Sequence, residues 1–237
     1  VRQWTRPRAG LVRAVLLLAG WTLVVLPIGI RNYAVGGEFH LTTSQFGPNF
    51  YIGNGPSADG LYQSLRPGGG DSLRERNDNT ELAELALGRS LTPREVSRYW
   101  SSRAVDFITG NPARWLVLMA RKWAMFWNRE EISDTNDQES YGDWSVGLSV
   151  LNRFFHFGIL LPLAAAGVFL TRHRWRDLWI LYATTVLYAG SVVLFIVLSR
   201  FRYPITPILV LFAAAGLVTA AAEINKHGWR RLAAPAA

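Results

Sequence analysis

The stretch LWILYATTVLYAGSVVLFIVLS, residues 178–199, decides the fold class of this chain because it runs for 22 residues without a charge. A helix needs about 20 mainly apolar residues to cross the roughly 30 Å hydrocarbon core of a bilayer. Residues 11–30, 149–171 and 205–222 have the same character. The few basic side chains within them, Arg13, Arg153 and His156, lie near span ends, where they can reach the headgroups. These stretches predict an all-α membrane protein with about four transmembrane helices.

The net charge of +8 is distributed unevenly along the chain. Residues 31–148 hold 12 Lys and Arg and 15 Asp and Glu, whereas the rest holds 13 basic and 2 acidic residues. The excess positive charge therefore flanks the hydrophobic stretches, which indicates membrane topology and argues against a nucleic-acid partner. Basic residues cluster at three places: before span one, between spans two and three, and after span four. If the chain crosses the membrane four times, all three clusters lie on the same side of the membrane. The positive-inside rule makes that side cytoplasmic.

This topology predicts four consecutive parts. Residues 1–30 form a cytoplasmic flank and the first span, and residues 31–148 form a large external, periplasmic segment. Residues 149–224 form a three-helix membrane segment, and residues 225–237 form a cytoplasmic tail. We therefore expect a multi-pass membrane protein with both termini in the cytoplasm. Because the chain begins with Val1, either a valine codon initiates it or it is the tail of a longer protein.

The external segment contains two stretches with helix-start signals. Thr92-Pro93-Arg94-Glu95 is a capping box, and it predicts a helix near residues 93–109. Asn111-Pro112 starts a second helix, near residues 112–127, in the same way. The tryptophans and basic residues of this second helix favour an amphipathic helix in the membrane interface over a crossing helix. Residues 34–90, rich in Gly, Ser, Asn and Asp, predict an irregular loop with short β-prone pieces such as residues 50–52.

Two groups of residues at the external face have the chemistry of a binding site. The four histidines lack metal-ligand spacing and no phosphate-binding loop is present, so we predict neither a metal nor a cofactor. Guanidinium groups can bind a lipid phosphate, and amides can bind sugar hydroxyls. The alternative is that the arginines anchor to ordinary headgroups and the glycines only turn the chain. The candidate binding residues are Arg31, Asn32, Tyr33, Asn54, Arg200, Arg202 and Tyr203.

Several short motifs follow the first hydrophobic helix in a fixed order. They are Arg31-Asn32-Tyr33, Gly53-Asn54-Gly55-Pro56, Tyr99-Trp100, Asn111-Pro112, Arg121-Lys122-Trp123, Phe126-Trp127-Asn128 and Arg202-Tyr203-Pro204-Ile205-Thr206-Pro207. This ordered set, over roughly residues 10–225, resembles the C-terminal half of bacterial GT-C class membrane glycosyltransferases. These enzymes are related to the protein O-mannosyltransferases and to the aminoarabinose transferase that modifies lipid A. The resemblance implies that the membrane is the bacterial inner membrane.

The resemblance implies transfer of a sugar from a polyprenyl-phosphate carrier to an acceptor on the outer face. In that family the catalytic aspartate lies in the first external loop of the N-terminal half, which has no counterpart here, so we assign no catalytic residue. The implied partners are membrane lipids, the lipid-linked sugar, and the missing half or a partner membrane subunit. Two other functions stay open: a non-catalytic scaffold or split subunit, and a transporter subunit. A transporter would need ionisable groups at membrane depth, which the last two predicted spans lack.

Overall fold

The computed structural model describes residues 7–41, 43–71, 73–133 and 138–227, in which all regular structure is helical. The predicted all-α fold is thus confirmed for this part of the chain. Short 3-10 turns occupy Arg172–Arg174 and Ser199–Ile205. The α-helices are α1 Pro7–Gly36, α2 Phe46–Asn54, α3 Glu75–Leu87, α4 Pro93–Gly110, α5 Pro112–Phe126, α6 Gln138–Trp144, α7 Val146–Phe154, α8 Phe157–Leu170, α9 Trp175–Val193 and α10 Thr206–His227.

Three helical segments within the described residues are long and apolar enough to cross a membrane. They are Gly10–Gly36, Val146–Leu170 and Ser199–Ala222. Each overlaps one of the predicted spans 11–30, 149–171 and 205–222. The second segment is interrupted between α7 and α8, at Phe155 and His156. The length and composition of these three segments are those of helices in a membrane protein.

The predicted span at residues 178–199 is not among these three segments, and the helix found there, α9, ends at Val193. The prediction that the helix continues to Ser199 is therefore wrong. The backbone beyond Val193 has partners outside the helix: the Leu194 carbonyl accepts from Asn54, and the Val197 N–H donates to the Gly60 carbonyl. Since buried backbone groups must be paired, these contacts replace the bonds that a longer helix would have made. An apolar run cannot reveal such competition.

Residues 34–90 contain two helices, α2 and α3, where an irregular loop was expected. Residues 50–52, predicted to be β-prone, lie inside α2. Pro48 is compatible with that helix because it sits in the first turn, where a missing N–H costs nothing. A Cβ on Gly47 would lie 1.9 Å from the Ser97 carbonyl oxygen, so this position requires glycine. Tertiary packing thus overrides the local preference of the aromatic and β-branched residues.

The capping box at Thr92 forms both of its reciprocal hydrogen bonds. The Thr92 N–H donates to Glu95 Oε2 at 2.9 Å, and the Glu95 N–H donates to Thr92 Oγ1 at 3.4 Å. Hydrogen bonds from the Arg89 guanidinium and the Thr92 backbone lower the pKa of the Glu95 carboxyl to about 2. Helices α4 and α5 begin at Pro93 and Pro112, as these sequence signals indicate.

The chain divides into two compact units, each with its own core. The first comprises Val1–Tyr51 and Ser64–Arg103, and the second comprises Ile52–Gln63 and Ala104–Ala237. In the first unit, Trp100 packs with Ala83 and Val96 and donates its indole N–H to the Asn79 carbonyl at 3.0 Å. In the second unit, the core is built by residues of α5, α8, α9 and α10.

Helices α8 and α10 of the second unit pack closely and run in the same direction. A Cβ on Gly167 would lie 1.8 Å from the Phe212 carbonyl oxygen, and one on Gly216 would lie 2.6 Å from the Gly167 Cα. The first residues of both helices, Phe157 and Thr206, line one cavity. Small residues at a helix crossing allow this close approach of two backbones in membrane proteins. Because α8 and α10 are parallel, the intervening α9 must carry the chain back.

Candidate functional site

A cavity of about 150 Å³ lies where α8 and α10 begin. Pockets for drug-sized ligands measure roughly 300–1,000 Å³, so this cavity suits a compact chemical group rather than a whole ligand. Its lining combines charged and hydroxyl groups with aromatic and aliphatic side chains. The lining residues are Glu131, Phe155, His156, Phe157, Leu160, Ser199, Arg202, Tyr203 and Thr206.

Arg202 is the buried charge of this cavity, with 2% of its surface exposed. Its Nη1 donates to the Asn128 carbonyl at 2.7 Å, and its Nη2 donates to the Glu130 carbonyl at 2.5 Å. Nη2 also donates to Glu131 Oε2 at 3.1 Å. The guanidinium carbon lies 4.6 Å from the centre of the Phe157 ring, within range of a cation–π interaction. Two backbone carbonyls and an aromatic face therefore fix the position of the guanidinium.

Two nitrogen atoms of the lining residues are buried without a hydrogen-bond partner in the described part of the chain. They are Nε of Arg202 and Nδ1 of His156. A buried donor left unpaired costs about 1–3 kcal/mol, so such atoms are rare in native proteins. An anion in the cavity that accepted a hydrogen bond from Nε would recover this free energy. The lining thus has the chemistry of an anion site.

Three candidate residues, Arg200, Arg202 and Tyr203, were predicted in the loop between spans three and four, and only two of them line the cavity. Arg202 and Tyr203 line the cavity, and Tyr203 is 67% exposed at its rim. Arg200 is exposed, and its guanidinium lies 5.1 Å from the centre of the Phe201 ring, away from the cavity lining. Of the two arginines, only Arg202 is positioned to act inside the cavity.

Asn54, another predicted binding residue, is fully buried in the second unit. Its Nδ2 donates to the Leu194 carbonyl at 2.7 Å, and its Oδ1 accepts from Trp115 Nε1 at 2.8 Å. Lys122, which the sequence suggested for an interfacial face, is buried beside it and donates to the carbonyls of Gly53 and Phe195. Burial lowers the pKa of the Lys122 amine to about 8. Both side chains hold the chain that follows α9.

Arg31, Asn32 and Tyr33 belong to the first unit. Arg31 and Asn32 line a cavity of about 300 Å³ together with His40 and Arg76. Asn32 donates its Nδ2 to the His40 carbonyl at 2.8 Å, and Tyr33 is 61% exposed. The predicted site residues are therefore distributed between the two units and do not form one cluster within either.

Sequence reasoning missed Glu131 and His156 as lining residues. Glu131 was part of an acidic connector without ordered spacing, and His156 was a basic residue at a span end. No sequence signal connects them to Arg202, because Glu131 and Arg202 are 71 residues apart. Within the described residues, no group of three or more potential metal-binding side chains comes together.

Comparisons with protein-family models, with curated proteins and with solved structures find no match to this chain. The chemistry of the Arg202 cavity and its place at the start of two apolar helices are therefore the basis for assigning a function.

Proposed function

We propose that the chain is the C-terminal portion of a membrane glycosyltransferase, in which the Arg202 cavity holds the phosphate of a polyprenyl-phosphate sugar donor. The observation that carries this proposal is a buried guanidinium, fixed by two backbone carbonyls and with an unpaired Nε, at the start of two apolar helices. The sequence resemblance supports it, and assigns the catalytic carboxylate to the first external loop of a preceding half. The role of this chain is to bind and position the donor for transfer to an acceptor.

The cavity suits a lipid-linked phosphate in two respects. An arginine forms paired, charge-assisted hydrogen bonds with phosphate oxygens, whereas a lysine offers only a point charge. The apolar side chains in the lining, Phe155, Phe157 and Leu160, provide the surface that the first units of a polyprenyl chain need. The small volume admits the phosphate and leaves the sugar and most of the lipid outside.

We further propose that the chain crosses the bacterial inner membrane four times, with both termini cytoplasmic. The parallel direction of α8 and α10 supports this, because α9 must then cross between them. At 1.5 Å per residue, the 19 residues of α9 extend about 28 Å, close to the thickness of the hydrocarbon core. The cavity then lies at the external end of α8 and α10.

Thiol labelling in intact cells tests this topology. The chain has no cysteine, so single-cysteine variants report one position each. We expect Leu73→Cys and Tyr203→Cys, both at exposed positions, to react with a membrane-impermeant thiol reagent. His173→Cys, exposed between α8 and α9, should react only after the membrane is permeabilised. Equal labelling of Tyr203→Cys and His173→Cys in intact cells would exclude a crossing by α9.

The substitution Arg202→Lys tests the phosphate site. We expect it to weaken the binding of a polyprenyl phosphate by about tenfold or more, because a charge-assisted hydrogen bond contributes about 1.5–3 kcal/mol. Binding would be measured with the purified chain in nanodiscs. Leu160→Trp, which fills the cavity without removing a hydrogen bond of Arg202, should weaken binding as well.

Arg172→Lys is the matched control for this substitution. Arg172 also lies over a phenylalanine ring, 4.2 Å from the centre of Phe169, and its Nη1 donates to the Phe169 carbonyl. It is exposed and lines none of the cavities described above, so its replacement should leave binding unchanged. If Arg202→Lys and Arg172→Lys bind the lipid phosphate equally well, Arg202 is only a structural anchor and the proposed site is wrong.

A further inference from the structure

We infer that Glu131 is an internal occupant of the phosphate site, and that an incoming phosphate displaces it from Arg202. This inference rests on the proposed function, since it concerns the same cavity. It assigns to Glu131 a role in selecting the ligand: only an anion that binds the guanidinium better than this carboxylate can enter.

Glu131 occupies only part of one edge of the Arg202 guanidinium, the edge formed by Nε and Nη2. A carboxylate that binds arginine in the two-bond arrangement uses two of its nitrogens through parallel hydrogen bonds. Glu131 reaches only Nη2, at 3.1 Å, and Nε on the same edge stays unpaired. A phosphate with two oxygens on that edge would engage both nitrogens. The ligand would thus form one more hydrogen bond than the residue it replaces.

The two partners of the ion pair differ in how firmly they are held. The Arg202 side chain is 3% exposed, whereas that of Glu131 is 30% exposed. Arg202 keeps its bonds to the Asn128 and Glu130 carbonyls when the carboxylate leaves. Within the described residues, the bond to Arg202 is the only side-chain hydrogen bond of Glu131. Displacement therefore moves the carboxylate and leaves the guanidinium in place.

A second, larger cavity gives the displaced carboxylate a place to go. It measures about 720 Å³, and Glu131 lines both this cavity and the Arg202 cavity. The exposed Arg121 is another lining residue of the larger cavity and offers a second positive charge. Movement of one side chain between the two cavities is thus enough to open the edge of Arg202.

The carboxylate also has a function before the ligand arrives. A buried charge without a counter-charge is strongly unfavourable. Glu131 compensates Arg202 until a phosphate supplies the negative charge. An anion that offers a single oxygen gains little over Glu131, whereas one that offers two oxygens also pairs Nε. The exchange therefore favours anions whose oxygens engage Nε and Nη2 together, as the two free oxygens of a lipid-linked phosphate do.

The substitution Glu131→Gln tests the inference, because it keeps the shape of the side chain and removes its charge. We expect the affinity for farnesyl phosphate, a short polyprenyl phosphate, to rise by about tenfold in nanodiscs made of neutral lipid. The Glu131→Asp variant should also bind farnesyl phosphate more tightly, because the shorter aspartate side chain does not reach Nη2. This variant keeps the negative charge near the site. Asp106→Asn is the matched control. Asp106 is an exposed carboxylate of the same unit that lines neither cavity, so the affinity of that variant should stay at the parent value.

Inorganic phosphate and phosphatidylglycerol vesicles distinguish the possible sources of the anion. Tighter binding of farnesyl phosphate alone assigns the site to a polyprenyl phosphate. An equal gain for inorganic phosphate or for the phosphatidylglycerol vesicles would contradict that assignment.

The variants separate the failure of this inference from the failure of the proposed function. If Arg202→Lys loses binding while Glu131→Gln and Glu131→Asp bind no better than the parent, Glu131 is a fixed structural partner and the inference is wrong. In that case the proposed site stands. If the parent chain does not bind farnesyl phosphate, or Arg202→Lys binds it equally well, the proposed function fails and the inference fails with it.

Discussion

Replacing Gly167 with alanine is expected to destabilise the second unit by about 1–3 kcal/mol, because the new methyl group overlaps the backbone of α10. The Cβ would lie 1.8 Å from the Phe212 carbonyl oxygen, and backbone cannot turn away as a side chain can. Helices α8 and α10 would have to separate, which would loosen the packing between the two helices that begin at the Arg202 cavity. Thermal unfolding of the purified protein in detergent, followed by the fluorescence of its tryptophans, measures the effect.

Gly190→Ala is the matched control for this prediction. Gly190 lies in α9, another apolar helix, and a Cβ there meets no atom within 4 Å. Because glycine in a helix interior is less favourable than alanine, this variant should be as stable as the parent or slightly more stable. Equal unfolding temperatures for Gly167→Ala and Gly190→Ala would contradict the close crossing of α8 and α10.

Replacing Lys122 with methionine is expected to have the second large effect. The amine donates to two buried carbonyls, of Gly53 and of Phe195, and methionine cannot do so. Each buried carbonyl left without a donor costs about 1–3 kcal/mol. The unwound chain after α9 should become more accessible, which hydrogen exchange at Val197 would detect. Arg121→Met is the control, because Arg121 is an exposed neighbour on the same helix and its loss should change the free energy of unfolding little.

The same lysine makes stability depend on pH in a predictable direction. Burial lowers the pKa of Lys122 from 10.5 to about 8, so the folded protein loses this proton at a lower pH than the unfolded chain. Between about pH 8 and 10.5 unfolding therefore takes up a proton, and the free energy of unfolding rises with pH. The neutral amine still has two N–H donors for its two carbonyls. Chemical unfolding at a series of pH values should show this rise in the parent and in Arg121→Met. A similar rise in Lys122→Met would assign it to another group.

Features that depend on neighbouring residues could be predicted from the sequence. The apolar runs indicate membrane helices because length and hydrophobicity alone decide whether a helix suits the bilayer. Thr92 and Glu95 mark the start of α4 because a capping box involves residues only three positions apart. Arg202 could be chosen as a candidate from the sequence because a guanidinium at a span end can bind a phosphate, and it lines a cavity in the structure. These inferences use local chemistry and need no knowledge of packing.

Features that depend on distant residues were decided only by the tertiary structure. The end of α9 at Val193, the helical state of residues 50–52 and the burial of Lys122 all follow from contacts with remote parts of the chain. The pairing of Arg202 with Glu131 joins residues 71 positions apart. Sequence by itself thus determined the membrane class, the starts of α4 and α5 and the choice of Arg202 as a candidate. The tertiary structure decided which backbone carbonyls accept hydrogen bonds from Arg202 and which carboxylate pairs with it, because hydrogen bonds depend on positions in space.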